Sequence, residues 1–180
     1  MEDKKFQIAT FAGGCFWCIE AVFNRITGVE KVVSGYTGGH IKNPAYREIT
    51  TGRTGHAEAI QIHYDEAVVS FVSLLELFFA SHDPTTLNRQ GYDVGTQYRS
   101  EVFCSSEKQR EQAIEFIALL EQQHIFESKI VTQISLLDVF YVAEDEHQDF
   151  YSNNTEYRYC QIVIQPKIDK IKQFYSDKLK

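Results

Sequence analysis

Residues 13–18, Gly-Gly-Cys-Phe-Trp-Cys, lie where two backbone patterns meet, and that junction constrains the fold more than any other stretch. Phe6 to Phe11 is an apolar run of strand length that ends in the turn signal Gly13-Gly14. Ile19 to Ile26 then carries apolar residues at helical spacing. The chain is therefore expected to pass from strand to helix across Cys15. A helix start presents unpaired N–H groups and the positive end of the dipole, which favour a thiolate and draw a thiol below its ordinary pKa of about 8.5. Cys15 is the candidate nucleophile on this ground. Cys-x-x-Cys spacing also occurs in zinc sites and thioredoxin-like proteins, so Cys15 and Cys18 alone leave several chemistries open.

Elements of both kinds follow. Val29 to Ser34 reads as a strand that ends at Gly35-Tyr36-Thr37-Gly38-Gly39, a glycine-flanked tyrosine expected in a tight loop. Gly55 to Tyr64 alternates apolar and polar residues, which sets Glu58 near a strand start. The face Phe71, Leu74, Leu75, Phe78, Phe79 predicts a helix over 70–79, stopped by His82-Asp83-Pro84. Thr85 to Thr96 has no regular period and reads as a polar loop of a length that is usually functional. Gln97 to Cys104 reads as a strand and 105–123 as a helix. Short strands at 130–134 and 138–142, a helical turn at 144–151 and a terminal helix at 168–174 complete the pattern. Half-buried strands alternating with helices point to an α+β domain, helices on a mixed sheet, rather than an all-parallel sheet of unbroken apolar strands.

The 180 residues suit one domain with a sizeable core. A net charge of −7 disfavours a nucleic-acid binder, whose affinity rests on clustered Lys and Arg. No stretch reaches the ~18 apolar residues of a membrane span, and the amino terminus lacks an apolar leader, so a cytoplasmic protein is expected. In that compartment four cysteines are expected to be reactive or buried rather than a disulfide framework, with Cys104 packed in a strand.

A thiolate needs an electrophile, and Phe16 and Trp17 offer an apolar wall that suits a small apolar group such as a methyl. Tyr36 and Tyr98 can donate hydrogen bonds, while Glu58 and Asp93 can donate or orient a proton. Each of these residues taken singly has an ordinary structural reading, as core or as a solvated face, and only their joint presence suggests a site.

Here the chain resembles the A-type peptide methionine sulfoxide reductases. The similar stretches are GGCFWC at 13–18, GYTGG at 35–39, TGRTGHAEAIQI at 51–62, HDPTTLNRQGYDVGTQYRS at 82–100, AEDEHQDFY at 143–151 and YRYCQIVIQPK at 157–167, in the family's order over nearly the whole chain. The resemblance implies a ferredoxin-like two-layer sandwich and a thiol-dependent reduction of methionine S-sulfoxide, free or protein-bound, in repair of oxidative damage. It implies Cys15 as the nucleophile that becomes a sulfenic acid, Phe16 and Trp17 as the methyl pocket, Tyr36, Asp93 and Tyr98 around the sulfoxide oxygen, and Glu58 as proton donor. A carboxylic acid serves that role only if neutral near pH 7, so Glu58 must be desolvated. A second thiol is expected to condense with the sulfenic acid. Cys160, in a polar tail over 152–165, is preferred as the first resolving thiol, with Cys18 the alternative and a relay through both possible. Thioredoxin, or dithiothreitol in vitro, is the expected reductant, with no bound cofactor or metal, no nucleic-acid or membrane partner, and a monomeric state.

Three positions depart from the family's common pattern: Tyr92 where asparagine is usual, Glu146 where tyrosine is usual, and Asn154 where a proline often follows asparagine. The Glu146 change bears on how the tail is anchored. Competing readings are a zinc site combining Cys15 and Cys18 with His40, His56, His63 or His82, general thiol–disulfide exchange, and a noncatalytic module for methionine-rich segments. The zinc reading lacks a second closely spaced ligand pair.

Overall fold

The computed structural model describes residues 5–180. Strand β1 (Gln7–Ala12) runs through the glycine turn into helix α1 (Phe16–Phe23), which starts earlier than the periodicity from Ile19 suggests. Next come β2 (Val29–Thr37), a short α2 (Tyr46–Ile49), β3 (Ala57–Tyr64) and α3 (Phe71–Ser81). A small hairpin of β4 (Arg89–Gln90) and β5 (Asp93–Val94) occupies the stretch expected to be an irregular loop. After β6 (Glu101–Cys104) the chain forms α4 (Glu107–Gln122), β7 (Gln133–Leu136), β8 (Phe140–Val142), α5 (Phe150–Asn153) and α6 (Gln165–Phe174).

The main sheet has the order β7-β6-β1-β3-β2-β8, antiparallel throughout except for the parallel pair β6–β7. This is the mixed sheet with packed helices that the alternating pattern calls for. Phe11, Ile60 and Ile62 on one face join Ile19, Val22 and Phe23 of α1, Leu74, Leu75 and Phe78 of α3, and Ile168 and Ile171 of α6 in one core. Phe11 anchors it, stacked on Phe78 at 4.7 Å and tilted against Phe23 and Phe71. On the other face Ala12, Ala57, Ala59 and Phe103 pack with Leu137 and Phe140. The period-two alternation of β3 thus sends Glu58 to the same face as Ile60 and Ile62, toward α1.

Three local expectations change. Tyr36 lies in a strand, not a tight loop, because β2 continues through Thr37 and is paired on both sides, Tyr36 opposite Glu58 on β3 and opposite Tyr141 on β8. Gly35 serves this pairing: a Cβ there would lie 2.4 Å from the Tyr141 carbonyl oxygen and 2.5 Å from the Phe140 ring. The strand expected from Gln97 begins only at Glu101, preceded by a 3₁₀ turn over Thr96–Tyr98. The stretch read as a polar tail is helical from Arg158 onward, with a π turn over Cys160–Ile164 leading into α6. Pro166 gives the reason. It cannot donate to the carbonyl four residues back, and a widened turn makes room for its ring.

Candidate active site

Cys15 is the N-cap of α1, with φ −59° and ψ 126°, and its carbonyl accepts the Cys18 N–H at 3.1 Å. The turn before it needs Gly14, whose φ of 88° lies in the left-handed region and over which Gln90 of β4 packs. No side chain of α1's own segment caps the helix. Glu58, from the neighbouring strand, does so instead: the Phe16 N–H donates to its Oε1 at 3.2 Å. The helix start that carries the nucleophile candidate is thereby tied to the acid candidate, 42 residues away.

Burial governs the protonation of this pair. Glu58 is 1% exposed, and desolvation pushes its pKa up to about 8, with the charges of Asp93 and Cys18 adding to it and the Phe16 N–H opposing. Cys15 is also buried. The lowered thiol expected from the helix start is overturned here: burial first, then the Cys18 thiol and Glu58, push the Cys15 pKa well above its ordinary value, and the Trp17 main-chain bond only partly offsets this. Cys18 moves the other way, to about 7, chiefly through its hydrogen bond with Cys15, helped by Lys167 and Tyr159 against the cost of burial. Cys15 therefore rests as a thiol beside a neutral acid, and its titration is tied to that of Cys18.

The polar groups close around them. Tyr36, across from Glu58 in the sheet, donates its hydroxyl to Glu144 at 2.9 Å, and Glu144 also accepts the Tyr46 N–H at 3.0 Å. Burial, then Glu144, raise the Tyr36 pKa, so the phenol stays a donor. Tyr98 is likewise raised by burial and by the charges of Glu58 and Asp93. Asp93 accepts the Tyr159 hydroxyl at 2.8 Å, and that same hydroxyl lies 3.5 Å from the Cys18 sulfur. Phe16 is fully buried, its ring tilted against Tyr36, whereas Trp17 is half-buried with one face stacked on Phe150 at 3.7 Å and its N–H donated to His147 Nδ1. Tyr46, Glu144, His147 and Tyr159 were not singled out from sequence. Glu144, His147 and Tyr159 lie inside matched blocks and Tyr46 between two of them, but none carries a periodicity that betrays its target.

Cys160 is 0% exposed within the π turn. A cavity of about 550 Å3 reaches Cys15 and Cys18 between the β4–β5 hairpin and the start of α6, and Cys160 is not on its wall. All four cysteines are free thiols, and Cys104 lies buried in β6 with its pKa raised to about 11, chiefly by burial. Two of the histidines offered for a zinc site are otherwise engaged. His56 uses both ring nitrogens on Gly39 and Ile41, and His82 uses both on Phe78 and Ser100. Among the described residues Glu144, Glu146 and His147 are grouped closely enough to hold a cation. The Trp17 bond takes the His147 Nδ1 lone pair, which puts the neutral ring's proton on Nε2 and makes that atom a donor rather than a ligand. Of the departures, Asn154 caps α5 by donating to the Phe150 carbonyl, and Tyr92 is 99% exposed.

Comparison with known proteins gives a consistent result. A family model described as Peptide methionine sulfoxide reductase matches residues 7–179. A peptide methionine sulfoxide reductase MsrA of Deinococcus radiodurans is 53% identical, over 96% of this chain and 84% of its own, and one of Chromobacterium violaceum is 51% identical, over 93% and 96%. The crystal structure of Mxr1 from Saccharomyces cerevisiae in reduced form superposes with a TM-score of 0.79 at 32% identity, covering 87% of this chain and 90% of that one. Mxr1 has also been solved in complex with Trx2, a likeness in fold at 24% identity and a TM-score of 0.56, covering 83% of this chain and 87% of that one.

Proposed function

Since the chain belongs to the peptide methionine sulfoxide reductase family, we propose that it reduces methionine S-sulfoxide to methionine through Cys15, with the resulting disulfide reduced by thioredoxin. The observation that carries the mechanism is a buried, neutral Glu58 bonded to the first N–H of the helix that begins at Cys15. The Cys15 thiol attacks the sulfoxide sulfur while Glu58 protonates the oxygen, a poor leaving group until it gains a proton, and takes the thiol's proton on its carboxylate in return. Oxygen passes to Cys15 as a sulfenic acid, methionine departs, and two electrons have moved from Cys15 to the substrate sulfur. Phe16 and Trp17 wall the methyl group; Tyr98, and Tyr36 once its hydroxyl leaves Glu144, donate to the oxygen until it is protonated, and Asp93 orients the donors beside it.

Cys18 shares a cavity wall with Cys15 and Cys160 does not, which supports Cys18 as the first resolving residue. It attacks the sulfenic sulfur and releases water, leaving a Cys15–Cys18 disulfide. Cys160 takes over by exchange only once the segment 152–165 opens, because its thiol is fully buried. A thioredoxin dithiol then restores both thiols. The same reading takes residues 1–180 as one monomeric domain working without a bound cofactor, and takes β1-α1-β2-β3-α3-β6, with sheet order β6-β1-β3-β2, as a ferredoxin-like sandwich. It also places the protein in the cytoplasm, where four free thiols stay reduced.

The test is single-turnover reduction of separated S and R epimers of a methionine sulfoxide peptide by the prereduced protein, followed by mass-mapping of the disulfide. Methionine from the S epimer with a Cys15–Cys18 bond is the expected result. A Cys15–Cys160 bond as the first product reverses the resolving order, and no methionine from either epimer overturns the assignment of activity.

A further inference from the structure

The β4–β5 hairpin turns through Gly91-Tyr92, since Gln90 pairs with Asp93 and Arg89 with Val94. Gly91 takes a left-handed φ of 58°, which frees the following side chain to project outward, and Tyr92 stands 99% exposed. Tyr92 is one of the residues that line the cavity reaching Cys15. Its lining is also apolar at Ile162, itself 57% exposed, Val163 and Pro166. The cavity of about 550 Å3 has room for more than one side chain and takes in Cys15, Cys18 and Asp93 of the site, with Tyr159 between it and the Trp17 ring. A ligand of one residue held at Cys15 leaves a fully exposed ring untouched, whereas a polypeptide running through the mouth meets it.

We propose that Tyr92 and Ile162 clamp the polypeptide on either side of the oxidised methionine, so that this protein favours substrates whose neighbouring residues are apolar. The proposal rests on the reductase reading above and adds a substrate preference to it. Aromatic side chains suit the task because they offer a large rigid contact area at low entropic cost. Tyr92 belongs to a turn tip that touches none of the core, so the substitution Tyr92→Asn, a residue that turns accept, leaves the fold in place.

The experiment compares kcat/KM on two pentapeptides, Ala-Leu-Met(O)-Leu-Ala and Ala-Gly-Met(O)-Gly-Ala, with dithiothreitol as reductant so that no protein docks. The wild type is expected to prefer the leucine-flanked peptide by about tenfold, the factor one good interface contact supplies, and Tyr92→Asn to bring that ratio close to one. A wild-type ratio near one, or a ratio that the substitution leaves unchanged, overturns the proposal. A second series with thioredoxin in place of dithiothreitol separates the reductant: a Tyr92→Asn protein altered only in its KM for thioredoxin makes the ring a docking point for that protein and overturns the proposal. Failure of the wild type on both peptides would instead sink the reductase reading on which the proposal stands.

Discussion

Replacing Glu58 by glutamine, and titrating the wild type beside it, probes the central claim that this carboxyl works as a neutral acid. With a pKa of about 8, Glu58 is roughly 90% protonated at pH 7; at an ordinary 4.5 it would be about 0.3% protonated. Burial thus raises the fraction of working acid at neutral pH roughly 300-fold. The first-turnover rate should hold level from pH 6 to 7.5 and then fall about tenfold per pH unit above 8. Cys15 does not confuse this limb, since its thiol ionises only well above its ordinary value. Glu58→Gln keeps an acceptor for the Phe16 N–H but cannot donate a full proton, and its rate should drop on the order of 10²–10⁴ and lose the alkaline limb. Stability gives an independent check. A folded pKa above the unfolded one means that the native state holds the proton more tightly, so the contribution is present below about 4.5 and is lost as pH rises toward 8. The loss amounts to about 5 kcal/mol once complete. Urea melts of Glu58→Gln and wild type should therefore diverge between pH 5 and 8, the variant gaining. A rate unchanged between pH 7 and 9.5, together with melts that stay parallel, would refute the reasoning.

Lys167 lines the cavity with Cys18 and helps lower that thiol's pKa, so Lys167→Met should raise the pH midpoint of Cys18 alkylation above about 7, while Lys167→Arg restores it; mass-mapped iodoacetamide labelling across pH 6–9 reads the shift. Gly14→Ala should destabilise the protein by about 1–2 kcal/mol, because a Cβ there must accept a φ of 88° and would stand 2.7 Å from Gln90; urea unfolding measures the loss, and an unaltered midpoint would count against the turn's assigned strain.

The strand–turn–helix at Cys15, the buried face of α3 and the start of α4 at Ser106 were all readable from local pattern. At α3 and α4 the deciding physics acts between residues a few positions apart. Ser70 accepts the Ser73 N–H and Ser106 the Gln109 N–H, short-range caps of the kind that residue type signals directly. The alternation of β3 was equally informative, since it sent Glu58 to the helix-covered face. Where the expectation failed, a distant partner decided. Tyr36 became a strand residue because β8, about a hundred positions on, pairs with it. The tail became a helix because Ile164 and Ile168 found a core to enter.

The sequence by itself thus determined the candidates for the chemistry and the elements on which most of them lie. Their protonation was decided by the tertiary structure alone, since desolvation depends on everything packed around a group and not on its neighbours in the chain. A helix start argued for an acidic Cys15; the burial of that thiol beside Glu58 outweighed it. Packing likewise put Cys18 against Cys15 and sealed Cys160 inside a helical turn. Spacing along the chain shows which thiols exist, but only the packed fold shows which two can meet.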